Sequence, residues 1–286
     1  MPLNHQEIIF NLPLWKSKPK IESLQGGMTN INFLIEESKK KYVARFALTS
    51  NTLLGLDRKR EINNTKMAAL ENIGPNVIAF YPQYNLLILE YISGMIYSPL
   101  LIKKPENILL LAKLLQKLHS GKKFQGEVNI FDSIRSYLKE VRKRKSWVPA
   151  DISILESNLN KIEQKLKFKT NIPCHLDLMI ENIVFDAEKV KLIDWEYSAN
   201  SDRRFDIAML SVKASFGKKE DAVLLKSYGA PQLYNEIQLM KALVYFREAS
   251  WGLLQLAVSS IPYDYKKYAE EHLHMFREHL LKIKSY

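Results

Sequence analysis

The stretch Cys174-His175-Leu176-Asp177-Leu178-Met179-Ile180-Glu181-Asn182 places a carboxylate, Asp177, five positions before an amide, Asn182. An apolar run follows, then a turn, then Leu192-Ile193-Asp194, a second apolar run that closes on a carboxylate. Phosphoryl transfer accounts for this spacing. One carboxylate accepts the proton of an attacking hydroxyl, while an amide oxygen and a second carboxylate hold magnesium beside the phosphates. Magnesium favours such hard oxygen ligands. Asp177 is therefore the candidate general base, and Asn182 and Asp194 are the candidate Mg²⁺ ligands. Taken singly, Asp177 or Asn182 would as readily cap or fill a turn; the joint spacing, with His175 in front, is what points to chemistry. His175 reads as an organiser of the loop backbone rather than a base.

The elements around these residues divide the chain. In the first part, Ile31 to Ile35 alternates, a charged turn spans Glu36 to Lys41, and Tyr42 to Phe46 begins a second strand, which together read as a hairpin. Residues 58–72 read as a helix stopped by Gly74-Pro75. Val77 to Tyr81 and Leu86 to Tyr91 read as strands, and Ser93-Gly94 breaks the pattern. Between two candidate strands lies Leu24-Gln25-Gly26-Gly27-Met28-Thr29-Asn30. Its glycines would let backbone amides approach a phosphate, although a simple turn would look the same. Arg45 sits inside an apolar strand and so requires an anionic partner. Glu61 can supply it and leave Arg45 facing phosphates; a purely structural Arg45–Glu61 pair is the alternative.

Beyond residue 93 the pattern is helical. Pro105 opens a helix whose Ile108, Leu111, Leu114, Leu115 and Leu118 form one apolar face. Residues 132–145, 152–166 and 204–284 continue in helix, interrupted by a strand-rich island at 172–195. The expected fold is α+β, two-lobed: a sheet-rich first lobe over residues 1–92 and a helical lobe over 93–286. Ligand sites favour the cleft between such lobes.

Composition narrows the class. Hydrophobic residues at 47% suffice for a core, and a single cysteine, Cys174, excludes a disulfide framework within the chain or a cysteine-based zinc site. The first residues lack a basic start followed by an apolar stretch, and apolar runs are too short to span a bilayer, so a cytoplasmic protein without integral membrane association is expected. The net charge of +11 would attract polyanions. The densest basic run, Lys139 to Lys145, reads as a solvated helix face, and without a recognisable nucleic-acid-binding pattern no nucleic-acid partner is expected.

These residues resemble the choline/ethanolamine kinases, within the aminoglycoside phosphotransferase-like kinases, over nearly the whole chain. The similarity is carried by Leu24 to Phe33, Val43 to Phe46, Arg58 to Glu61 with Gly74-Pro75, and the broad superfamily motif Cys174 to Asn182. Ile193 to Tyr197 with Arg204 to Ala208, Trp251-Gly252-Leu253 and Tyr263 to Ala269 are closer to the choline branch. The resemblance implies ATP and Mg²⁺ as cofactors. The nucleotide would be held by Gly26, Gly27, Thr29, Asn30, Arg45 and Glu61, with a peptide hinge near Glu90, Tyr91 and Ile92. It implies transfer of the terminal phosphate to a small alcohol, choline first, with Glu196, Tyr197, Trp251, Tyr263 and Tyr268 around the quaternary ammonium. Ring faces attract such a cation by about 0.5–2 kcal/mol each, while packing alone would also account for Trp251.

The chain departs from that pattern in its pocket. Leu176 replaces an asparagine frequent in the choline branch, Leu254 replaces a second tryptophan, and an acidic pocket residue would fall near Lys213. Ethanolamine, thiamine or an aminoglycoside therefore stand as alternative acceptors for the same chemistry. A catalytically inactive kinase-fold binding protein is the alternative from another class; loss of a base or metal ligand would mark it, and Asp177, Asn182 and Asp194 are all present.

Overall fold

The computed structural model describes residues 4–24, 30–47, 53–186 and 189–283. A short helix α1 (His5–Phe10) precedes a five-stranded antiparallel sheet built from β1 (Lys20–Leu24), β2 (Asn30–Glu37), β3 (Lys40–Ala47), β4 (Val77–Tyr81) and β5 (Leu86–Glu90), in the order β1-β2-β3-β5-β4. Helix α2 (Arg58–Leu70) lies between β3 and β4 in sequence. Side chains alternate across a strand, so each strand serves two faces. Phe33, Ile35, Ala44, Phe46, Leu86 and Ile88 pack with Ile9 of α1 on one face. Leu87 and Leu89 meet Ile62 of α2, with Val43, Val77 and Phe80, on the other. Arg45 is two positions from Val43 and stands opposite Leu87 in the register. The period of two therefore aims Arg45 at α2.

The sheet-rich part passes into the helical part through Tyr91 to Ser98. Met95 and Phe185 exchange both backbone hydrogen bonds, at 2.8 and 2.9 Å, and Tyr97 stacks on Phe185 with ring centroids 3.8 Å apart. Gly94 makes this crossing possible. Its φ is +151°, and a Cβ there would stand 2.5 Å from the Phe185 carbonyl oxygen. Gly74 answers a similar demand, since a Cβ would come within 2.9 Å of the Trp195 indole nitrogen. Beside it the Leu192 amide donates to the Ile73 carbonyl at 2.8 Å, tying the α2–β4 turn to the second lobe.

The helical part contains α3 (Pro99–Ile102), α4 (Pro105–His119), α5 (Ile130–Lys143), α6 (Ile152–Leu166), α7 (Arg203–Lys213), α8 (Lys218–Ser227), α9 (Tyr234–Val258) and α10 (Tyr265–Lys282). The expected apolar face of α4 is buried as Ile108, Leu111, Leu114, Leu115 and Leu118. Helix α9 is buried along nearly its whole length because it packs against α5, α7 and α10. Gly252 lets α10 come close: a Cβ there would meet Tyr268 at 2.9 Å. Two small antiparallel pairs sit among the helices, β6 (Ile172–Cys174) with β9 (Ala199–Ser201), and β7 (Ile183–Asp186) with β8 (Lys189–Leu192). No helix among the described residues is long and apolar enough to cross a membrane.

Gly94→Ala forces a side chain against the Phe185 carbonyl in a backbone conformation that disfavours one. The expected outcome is a loss of about 1–3 kcal/mol, read as a lower urea midpoint with unchanged denaturant slope.

Candidate active site

The loop between β6 and β7 carries Asp177 and Asn182, and a buried carboxylate shapes it. Asp206, in the first turn of α7, accepts the backbone N–H groups of His175 and Leu176, both at 2.8 Å, and contacts His119 Nε2 at 3.1 Å. Leu176 is held at a φ of +65°, so the chain reverses and presents Asp177 to the cleft. His175 braces the loop from within. The Asp177 amide donates to its Nδ1 at 3.3 Å, so Nε2–H donates to the Ile193 carbonyl at 3.0 Å. Burial lowers the His175 pKa and keeps the ring neutral. Asn182 closes the loop by donating to the Asp177 carbonyl at 2.9 Å and to its carboxylate at 3.4 Å. The Ile193 amide donates to the Asn182 carbonyl at 3.0 Å, which sets Asp194 beside both.

Across the cleft, Arg45 lies among acids. Its guanidinium pairs with Asp194, and lies 3.3 Å from Glu61 and 3.6 Å from Glu196. Arg58 holds the other Glu61 oxygen at 2.5 Å and donates to Asn30 Oδ1 at 3.3 Å; Asn30 Nδ2 donates to Glu196 at 2.7 Å. The pairing of Arg45 with Glu61 is thus observed, within a larger cluster. Burial raises the Glu61 pKa against the pull of Arg45 and Arg58. Glu196 is pushed up to about 8 by burial, with the Asp194 charge adding and Arg45 opposing. Burial pushes Asp177 up to about 7, with Arg247 opposing.

Asp177, Asn182, Asp194 and Glu196 line one cavity of about 360 Å³ together with Tyr197, Arg247, Glu248, Trp251 and Tyr268. Trp251 Nε1 donates to the Tyr197 hydroxyl at 3.1 Å, and the Trp251 and Tyr268 rings meet at 5.6 Å, edge to face. Tyr263 departs from the expectation. It is 46% exposed and does not line this cavity; it lies in the α9–α10 connection, where its ring leans on Tyr265 and, at 6.2 Å, on Tyr268. Leu254 is fully buried in the core and lines no part of the cavity. A second cavity, about 220 Å³, is lined by Glu90, Tyr91, Ile92, Val184 and Lys191. The Glu90 carboxylate accepts two hydrogen bonds from Asn76. Gly26, Gly27 and Thr29 lie outside the described residues.

The donor set fits a hard divalent cation. Asn182 uses its amide N–H on Asp177, which leaves the amide oxygen to act as a ligand. Asp194 Oδ1 is buried in its ion pair with Arg45, and Asp194 supplies the second hard carboxylate of the set. Both side chains line the cavity that holds Asp177.

Arg247 and Glu248 were missed by the sequence reading. Glu248 takes Arg247 Nη1 at 2.6 Å on one oxygen, and Lys213 Nζ at 2.5 Å with the Tyr268 hydroxyl at 2.6 Å on the other. These cations hold its carboxyl below the usual range against the cost of burial. The signal was present: two adjacent charges interrupt the apolar run of α9 one turn before Trp251, and buried charges require partners.

The family profile described as choline/ethanolamine kinase matches residues 21–223. Protein LicA of Haemophilus influenzae is 27% identical over 207 residues, 71% of this chain and 61% of that protein, so the match stops short of two thirds of its length. Ethanolamine kinase 2 of Mus musculus is 22% identical over 297 residues, covering 90% of this chain and 75% of the relative. The crystal structure of the choline kinase LicA from Streptococcus pneumoniae superposes with a TM-score of 0.81 at 24% identity, covering 93% of this chain and 94% of that one, which establishes the two-lobed kinase fold. The chain belongs to the choline/ethanolamine kinase family, phosphotransferases that act on an alcohol group.

Glu248→Gln leaves Lys213 and Arg247 buried without their shared carboxylate. Breaking a buried pair costs about 3–5 kcal/mol, measurable by urea unfolding. Adding Lys213→Met to Glu248→Gln removes one orphaned charge and is expected to recover part of that loss, a coupling read by the double-mutant cycle.

Proposed function

We propose that this member of the choline/ethanolamine kinase family transfers the terminal phosphate of ATP to the hydroxyl of choline, giving phosphocholine. The observation that carries the reading is one cavity in which Asp177 stands beside the rings of Trp251, Tyr197 and Tyr268. An alcohol whose cationic head rests on ring faces would present its hydroxyl to the carboxylate.

Asp177 accepts the hydroxyl proton as the oxygen attacks. Asn182 orients that carboxylate and, with Asp194, would hold magnesium. Bound magnesium supplies positive charge against the phosphate oxygens. Arg45, braced by Glu61, neutralises further phosphate charge from the sheet side. The cavity at Glu90 and Ile92 takes the nucleotide base, and Asn30, with Gly26, Gly27 and Thr29 in the β1–β2 connection, takes the phosphates.

Choline is favoured over ethanolamine by the hydrogen-bond inventory. Ethanolamine brings N–H donors that need acceptors, whereas beside the rings Glu248 already receives Lys213, Arg247 and Tyr268, Glu196 receives Asn30 and faces Arg45, and the Tyr197 hydroxyl already receives Trp251. A quaternary ammonium asks only for ring faces and nearby negative charge.

The test is ADP release from ATP and Mg²⁺ with choline, ethanolamine, thiamine and kanamycin. Choline should be the best acceptor, and a higher kcat/KM for any of the other three would overturn its assignment. Asp177→Asn should lower kcat by about 10²–10⁴-fold, the range for a positioned base, with ATP affinity retained. Trp251→Ala should raise the choline KM by about 2–30-fold, the equivalent of one desolvated cation–π contact, while kcat changes little.

A further inference from the structure

We propose that Lys213 sets the charge selectivity of the acceptor pocket: its ammonium is a built-in counter-ion that occupies the pocket carboxylate Glu248 and biases the site towards acceptors of low positive charge. The inference rests on the reading of this cavity as the acceptor site.

Lys213 is the last residue of α7 and its side chain is only 11% exposed. It reaches across to α9 and stands 2.5 Å from Glu248 Oε2. Glu248 is part of the cavity wall, whereas Lys213 stands behind it. On the other oxygen Arg247 closes the pair at 2.6 Å; its guanidinium lies 4.6 Å over the Tyr197 ring and 3.9 Å from Asp177 Oδ1. The group Lys213–Glu248–Arg247 thus puts two cations on one anion, and Arg247 already covers a face of Tyr197. An acceptor cation entering beside Glu248 meets a carboxylate whose field is cancelled by an ammonium in contact with it. In a partly desolvated wall, charges at such separations still interact strongly at an effective dielectric of about 20, so the cancellation is felt by the ligand. The other carboxylates of the cavity, Asp177, Glu181, Asp194 and Glu196, do not pair with Lys213 among the described residues, so its ammonium lowers the reward for each positive charge on an acceptor by the share that Glu248 would have given. Lys213 touches no substrate and acts through Glu248 as a positioning residue.

Removing the ammonium alone makes the pocket one unit more negative, while Arg247 and Tyr268 still hold Glu248. The experiment compares choline with its uncharged isostere 3,3-dimethylbutan-1-ol, by calorimetric affinity and by KM, on the wild type and on Lys213→Met, Lys213→Gln and Lys213→Arg. The expected result is choline binding tightened by about tenfold in the Met and Gln variants, equivalent to ~1.4 kcal/mol, with the isostere unchanged and Lys213→Arg behaving as wild type. Two neutral replacements keep a folding defect in one from deciding the outcome. A parallel change for choline and the isostere would make Lys213 merely structural and overturn the proposal, as would no change for either. If the wild type and every variant fail to bind choline, the acceptor reading falls and this inference with it; choline binding with no effect of Lys213 sinks the inference alone.

Discussion

The site depends on one buried carboxylate that takes no part in the chemistry. Asp206 accepts two consecutive backbone N–H groups, those of His175 and Leu176, and hydrogen bonds to an ionised acceptor are roughly twice as strong as neutral ones. That strength offsets the left-handed backbone at Leu176, a conformation costing about 1–3 kcal/mol in a residue other than glycine. Once the reversal is fixed, Asp177 can only face the cleft, and His175 hands the constraint to Ile193 and so to Asp194. A helix start, a strained loop and a hairpin end are thereby locked to one another, and the placement of Asp177 relative to Asp194 follows from backbone hydrogen bonds instead of side-chain rotamers.

The first lobe meets this frame through Arg45. Its place is dictated by strand alternation, which turns residue 45 away from α1 and towards α2. There it gathers Glu61, Asp194 and Glu196, and Arg58 shares the load on Glu61. Buried charges survive only in such company, since an isolated one would neutralise instead. The same cluster joins the two lobes across the cleft, because Arg45 and Asn30 belong to the sheet while Asp194 and Glu196 follow β8. A polyanion entering the cleft would compete for Arg45, so the proposed nucleotide recognition and the observed lobe contact would draw on one set of groups.

How far the site could be read in the sequence follows from the kind of relation each residue holds. Asp177, Asn182 and Asp194 sit on one loop and the hairpin after it, so their nearness is local and spacing reveals it. The apolar periodicities of α4 and β2 are local in the same sense and reappear as buried faces. Helix α1 passed unnoticed because a six-residue helix has too few turns to show a period. Glu248 was missed for a different reason. The family resemblance puts a pocket acid near Lys213, where the sequence has a lysine; the fold brings an acid from α9, 35 positions along, and sets it against that lysine. Tyr263 and Tyr268 look alike in sequence, but only Tyr268 is inside a helix, and helical position turns it to the cavity while Tyr263 stays outside. Contacts between distant elements leave no mark on spacing; what they leave is a charge where an apolar residue was due.

The global and local charges of this chain pull on its ligands in opposite senses. A net charge of +11 draws a nucleotide from solution and repels a cationic alcohol. Salt screens that field beyond about 8–10 Å, so it governs approach more than binding. Inside the cavity a proposed cationic acceptor would meet ring faces and carboxylates, Asp177, Glu181, Asp194, Glu196 and a Glu248 already shared by two cations. Ring faces act at short range and are nearly indifferent to the far field. A basic protein can therefore hold a small cation in a cavity that is locally acidic and walled by aromatic carbon, where the cation sheds its water. On the proposed reading, selectivity would then depend on how completely Lys213 and Arg247 cancel Glu248, a quantity set by side-chain contacts between helices and not by the composition of the surface.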